Sequence, residues 1–247
     1  MPCVLVTGSN RNLGLGFARH YAAAGWRVIA TCRNMEKAGD LEEIAKETDG
    51  KLSVHHMDVA DRASIRALAG ELAGHPIDVL INNAANLGKH RATAFGKTDY
   101  SEWGEIFAVN TFGPMMVAEA FAANVAASGR RVIATVSSRL GGEPTYGMVP
   151  YHISKTALNQ VVMQIALALR ERGVISVALH PGWVQNDISG ARAILTPDKS
   201  AAMLAKVISG LTMADTGTFV EPDGSALPLI TQQFTDKPYS MPKGRPA

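Results

Sequence analysis

Cysteine is nearly absent from this chain of 247 residues, which contains only Cys3 and Cys32. A small disulfide-stapled scaffold is therefore excluded, and the spacing of the pair fits no zinc-ligand pattern. Both fall in apolar runs expected to form neighbouring parallel strands, at opposite ends and beyond disulfide reach. They read as small core hydrophobes in a reducing compartment, so a cytoplasmic location is expected. An excess of one charge sign is also missing, since the net charge is only +2. No nucleic acid or anionic membrane surface is expected as a partner. No apolar run is read as reaching the ~18 residues that a membrane span needs. The chain passes from Met1-Pro2 straight into Cys3-Val4-Leu5-Val6 without a basic region or cleavage site, so no signal peptide is expected. The seven histidines are scattered, and His55-His56 would point to opposite faces of a strand, so no metal site is expected.

Apolar strand-like runs alternate with amphipathic helical segments along nearly the whole chain. Val4 to Val6, Val28 to Ala30, Leu52 to Val54, Ile77 to Ile81, Val132 to Val136 and Val174 to Leu179 are the strand candidates, with Gly217 to Val220 as a short last one. Helices are predicted between them, the longest around Glu102 to Ala127 and from Tyr151 onward. Strict alternation of this kind, with strands apolar on both faces, predicts a Rossmann-type doubly wound α/β fold. The expected architecture is three α/β/α layers around one mostly seven-stranded parallel sheet. No linker or repeat divides the sequence, so residues 1–247 are expected to form one domain, with 230–247 as an extended proline-containing tail.

Two local patterns carry chemistry. Thr7 to Gly16 follows the first strand and opens the first helix, with glycines at 8, 14 and 16. Backbone amides at such a turn, together with the positive end of a helix dipole, suit a pyrophosphate, although the spacing differs from the common G-x-G-x-x-G fingerprint. At the end of the second strand an acid would select NAD, but Thr31-Cys32-Arg33 stands there instead. Arg33, with Arg11 of the first loop, is suited to a 2′-phosphate, which favours NADP(H). Two solvated surface arginines are the competing reading. The second pattern is Tyr151-His152-Ile153-Ser154-Lys155, in which residues i and i+4 share one helix face. A cation beside a phenol favours phenolate and lowers its pKa from a reference near 10. Ser138 lies thirteen residues upstream, just after an apolar strand, and the adjacent Ser137 is the alternative.

Together these motifs resemble the short-chain dehydrogenase/reductase family, in its single-domain branch of about this length. The likeness runs from Thr7 to about Leu229. The family's loop reads T-G-x-x-x-G-x-G; Thr7, Gly8 and Gly14 match, and Asn12 replaces the middle glycine, a substitution that left-handed backbone tolerates in Asn. The resemblance implies that Gly8, Asn10, Arg11, Leu13 and Gly14 face the cofactor. Asp58 and Val59 are then expected at its adenine and Asn83 and Ala84 of Asn82-Asn83-Ala84-Ala85 beneath its adenosine. Pro181, Gly182 and Val184 are expected at the nicotinamide, with Asn186 where the family has threonine. It further implies Tyr151 as general acid and base, Lys155 as the group that lowers its pKa and holds the ribose, Ser138 as oxyanion donor and Asn110 in the proton relay. Ala30 to Ala38 and His180 to Val184 are similar to the family's carbonyl reductases of the sniffer and C-factor type.

The expected function is NADP(H)-dependent hydride transfer to or from a partly apolar carbonyl or secondary alcohol. A non-catalytic NAD(P)-binding regulator is the alternative, although such a protein is expected to lose the Tyr, Lys or Ser. The loop from Trp183 to Leu195 follows the sixth strand, where doubly wound sheets bind ligands, and is expected to cover substrate. Leu140, Tyr146, Met148 and Trp183 are expected to form an apolar wall beside it. The two long helices are more apolar than one buried stripe requires, so a homo-oligomer is expected, a tetramer first and a dimer next.

Overall fold

Successive residues of each central strand divide between two cores. Val4 and Val6 enter one apolar cluster with Phe17, Leu41 and Leu204, while Cys3 and Leu5 enter another with Ile65, Phe121 and Ile165. Alternation across a pleat explains the division. A strand covered by helices on both faces has to be apolar throughout, and each fully buried Val, Leu or Ile contributes about 1.5–3 kcal/mol relative to exposure.

The computed structural model describes residues 1–88, 96, 98–143, 147–186 and 192–229. From the first strand the order is β1 (Cys3–Val6), α1 (Asn12–Ala23), β2 (Arg27–Cys32), α2 (Gly39–Glu47), β3 (Leu52–His56) and α3 (Arg62–Glu71). Then come β4 (Val79–Asn82), α4 (Trp103–Phe107), a π-helical turn (Ala108–Phe112), α5 (Gly113–Ala126) and β5 (Val132–Val136). The described chain closes with α6 (Val149–Leu169), β6 (Ile175–Leu179), α7 (Pro197–Gly210), β7 (Phe219–Val220) and β8 (Ala226–Leu227). The sheet order is β3-β2-β1-β4-β5-β6-β7-β8. The chain winds outward from β1 in one direction, then returns to place β4 on its other side, and this reversal opens a crevice at the carboxyl ends of β1 and β4.

The expected doubly wound fold is present, with additions. The seven strands are parallel, and an eighth, β8, pairs antiparallel with β7. Its two residues are too few to show a pattern in the sequence. The long helix predicted around Glu102 to Ala127 is interrupted by the π turn, and α7 begins at Pro197 with Thr196 as its cap, the Thr196 side chain accepting from Lys199 N. Cys3 pairs in register with Arg27 and Cys32 with His56, so the two free cysteines lie at opposite ends of β1 and β2. One helical stretch reaches the length and mean apolar composition of a membrane span without being an unbroken apolar run. Trp103–Ala126 meets the length and composition, and half of its apolar window is buried. Val117, Phe121 and Val125 of that stretch pack against the sheet, which is the reason for its apolarity. The tail 230–247, Tyr146 and the middle of the Trp183–Leu195 loop lie outside the described residues.

Candidate active site

The loop after β1 is shaped by contacts that only a bare backbone permits. Gly8 has φ +64°, and a Cβ there would stand 2.9 Å from Ala84 Cα. At Gly14 a Cβ would stand 2.1 Å from the Gly8 carbonyl oxygen, so no side chain fits. Asn12 adopts φ +47°, the left-handed conformation that Asn accepts more readily than other side chains. The N-cap residue of α1, Arg11, makes no side-chain capping bond to the first-turn amides of the helix, which face a potential anion at its positive end. The loop is held from β4: Thr7 Oγ1 accepts from the amides of Asn83 and Ala84, both at 3.0 Å, and Asn83 Nδ2 donates to the carbonyls of Thr7 at 2.9 Å and Gly8 at 3.1 Å.

A cleft of about 540 Å³ opens over this loop. Gly8, Asn10, Arg11, Leu13 and Gly14 line it from the loop, and Arg33 from the end of β2. Asp58 and Val59 follow β3 on the same wall, Asn83 and Ala84 follow β4, and Tyr151, Pro181 and Val184 complete the expected set. Asp58 Oδ1 accepts from Ala60 N at 2.9 Å, which fixes the carboxylate at the rim. Gly182 and Lys155 do not line the cleft. Gly182 turns at φ +76° against Leu195, and Lys155 is only 2% exposed beneath the floor. Of the apolar wall, Leu140, Met148 and Trp183 are likewise not among the lining residues. Sequence reasoning missed Met57, Asn86, Leu87, Glu105, Val136 and Gln185. Asn86 directly follows the Asn-Asn-Ala-Ala stretch, and its place at the carboxyl edge of β4 was the available signal.

Tyr151, near the start of α6, lines the cleft, and Ser138, two residues past β5 and not itself a lining residue, forms a side-chain hydrogen bond with it. The neighbouring Ser137 is also buried, and its hydroxyl donates to Asn159 Oδ1 at 2.6 Å. Lys155 Nζ donates to the Val136 carbonyl at 2.9 Å and lies 5.7 Å from the centre of the Tyr151 ring. Asn110 sits in the π turn, fully buried. Its Oδ1 accepts from Asn86 N at 2.7 Å, and its Nδ2 donates to Asn86 O at 2.8 Å and to Ser154 Oγ at 3.0 Å. Ser154 Oγ in turn donates to the Tyr151 carbonyl at 2.7 Å. The Asn110 side chain is thus committed to protein groups, and it ties the end of β4 to the first turn of α6.

Burial dominates the electrostatics here. It pushes the Tyr151 phenol up to about 12, with the Ser138 hydrogen bond acting in the opposite direction. It also brings the Lys155 amine down to about 7. The Ser138 hydrogen bond is the interaction that favours the phenolate of Tyr151. Loss of water disfavours the charged form of each group, the phenolate of Tyr151 and the ammonium of Lys155.

A family profile for short chain dehydrogenases matches residues 2–194. The chain is 36% identical over 167 residues to C-signal of Myxococcus xanthus, a match that covers 66% of this chain and 99% of that protein. It superposes on the NADPH-bound carbonyl reductase from chicken fatty liver with a TM-score of 0.83 and 32% identity, covering 92% of this chain and 98% of the other. For carbonyl reductase Sniffer of D. melanogaster the TM-score is 0.84 at 30% identity, with coverage of 92% and 99%.

Proposed function

Since the chain belongs to the short chain dehydrogenase family, we propose that it transfers hydride between NADP(H) and a carbonyl or secondary alcohol. The observation that carries this reading is the Tyr151–Ser138 pair at the end of a glycine-floored cleft, with Lys155 buried beneath it. The residues present fit a dinucleotide: Gly8 and Gly14 leave bare backbone, Arg11 makes no side-chain capping bond to the α1 amides, and Arg11 and Arg33 share the rim. The cofactor supplies or accepts the hydride at the nicotinamide, which Pro181, Val184 and Asn186 would hold and whose ribose Lys155 would reach.

A phenol at about 12 is protonated near neutral pH, so Tyr151 stands ready as general acid for carbonyl reduction. Ser138 accepts from Leu140 N at 3.2 Å, which leaves its own proton for an oxyanion or for Tyr151. Asn110 holds the π turn and the start of α6 in register beneath them. The test is NADPH oxidation with a panel of ketones and aldehydes. Tight NADPH binding without turnover of any of them would favour the alternative, a dinucleotide-binding regulator.

Arg33 is exposed at the rim and has the geometry to receive a 2′-phosphate. Arg33→Ala is expected to weaken NADPH by about 1.5–3 kcal/mol, roughly 10- to 100-fold in Kd, and to leave NADH nearly unchanged. Fluorescence titration with both cofactors measures this, and equal losses for the two would remove Arg33 from that role.

We also propose self-association through the α4–α6 side. Tyr100 stacks on Trp103 with ring centres 5.2 Å apart, Trp103 on Phe107 at 6.0 Å, and Phe112 continues the row at 6.4 Å. Tyr100 is 72% and Phe112 56% exposed, while Ile153 and Leu167 of α6 are exposed as well. Light scattering at micromolar protein is expected to give a dimer or tetramer; a mass of one chain would show that this apolar surface remains open to water.

A further inference from the structure

Ser138 can serve Tyr151 only if the turn that follows it stays in place. That turn, Arg139–Gly141, is held on one side by α6. A Cβ on Gly141 would lie 2.8 Å from the Lys155 carbonyl carbon, and Thr156 Oγ1 donates to the Gly141 carbonyl at 2.8 Å. Its other side is held by a residue 82 positions away, because Arg139 Nε donates to Glu221 Oε1 at 2.5 Å. The burial of this pair is unequal: the Arg139 side chain is 50% exposed and that of Glu221 only 9%. Glu221 follows β7 and is anchored by its own turn, its amide donating to Ser225 O at 2.8 Å and its carbonyl accepting from Gly224 N at 3.0 Å. His180, at the end of β6, faces the same pair. Burial holds its pKa below the usual range, so the neutral ring leaves the carboxylate to Arg139.

We propose that Glu221, acting through Arg139, is a positioning residue for hydride transfer: it fixes the turn that presents the Ser138 hydroxyl to Tyr151. A half-exposed surface pair contributes little by itself, but a buried carboxylate at its inner end needs its partner in one place. The ends of β5 and β7 are thereby locked to each other at the carboxyl edge of the sheet, while Thr156 locks the turn to the helix that carries Tyr151 and Lys155. The inference rests on the hydride-transfer reading above.

The experiment compares Glu221→Gln and Arg139→Ala with the unaltered protein in NADPH-dependent carbonyl reduction, each also placed in a Ser138→Ala background. A turn displaced by a fraction of an ångström is expected to lower kcat by about 10- to 100-fold. The Kd of NADPH is expected to stay within about twofold, because no nucleotide contact is removed. In alcohol oxidation the ascending limb of the pH profile, which reports the general base, is expected to move to higher pH, since the Ser138 hydrogen bond favours the Tyr151 phenolate. With Ser138→Ala already present, neither change is expected to cost more, which is the mark of two residues acting through one group. Unchanged kcat, or equal losses with and without Ser138, would overturn the proposal. Loss of the folded near-UV circular dichroism in both variants would also overturn it, by making the pair purely structural. Absence of NADPH oxidation by the unaltered protein with every ketone and aldehyde tested would instead bring down the hydride-transfer reading, and the Glu221 proposal with it.

Discussion

Tyr151→Phe is expected to lower carbonyl reduction by about 100- to 10,000-fold, the range for loss of a positioned general acid. The substitution removes one hydroxyl and leaves the ring, so the packing at the start of α6 is preserved. NADPH affinity is expected to change little, because the hydroxyl removed is hydrogen-bonded to Ser138 within the protein. Single-turnover hydride transfer followed by NADPH fluorescence separates the two effects. A loss below about tenfold would assign the proton to another group, with Ser138 the nearest candidate.

Lys155→Met is expected to act in opposite directions on stability and on activity. The lysine is 2% exposed and its pKa falls to about 7 because water has been removed from the ammonium. Its charged form is therefore disfavoured in the folded chain relative to the unfolded one. The sign follows from proton counting. Between the folded pKa near 7 and the reference value of 10.5 the unfolded chain binds more protons, so stability rises with pH across that window. The full cost applies below pH 7. Methionine matches the stem and carries no charge, so a gain of about 1 kcal/mol, or about 2–4 °C in Tm for a chain of this size, is expected at neutral pH. That gain is expected to shrink toward pH 10, while carbonyl reduction falls steeply. A variant less stable than the parent at pH 7 would mean that the bond from Lys155 to the Val136 carbonyl outweighs the desolvation.

The difference between what was legible in the residues and what was not follows the range of the interactions. Strands buried on both faces write themselves as apolar runs, so β1 to β6 were readable, and Tyr151 to Lys155 was readable because one helical turn sets their relation. Asn12 announced a left-handed turn that few other side chains accept. The spacing to Tyr151 favoured Ser138 over Ser137, and the bond from Ser137 to Asn159 was not legible because it joins residues 22 apart. The π turn around Asn110 has no sequence pattern, since it arises from one extra residue in a helical ladder. Asn86 was missed because Asn110 grips its backbone, and the backbone is the same for every residue type. The pKa values could not be read either: the i, i+4 spacing gives proximity, but burial decides the sign.

The grip of Asn83 and Thr7 on the loop after β1 has a thermodynamic consequence. Four hydrogen bonds from the end of β4 fix this segment before any ligand arrives. Ordering one backbone residue opposes assembly by about 1–2 kcal/mol of conformational entropy, and a slack loop would charge that against every binding event. Here the ordering happens once, during folding, so in the proposed role nucleotide association would draw on contact energy with little entropic opposition from the loop. Exchange of spent for fresh cofactor then proceeds on a surface that does not have to rebuild itself between turnovers.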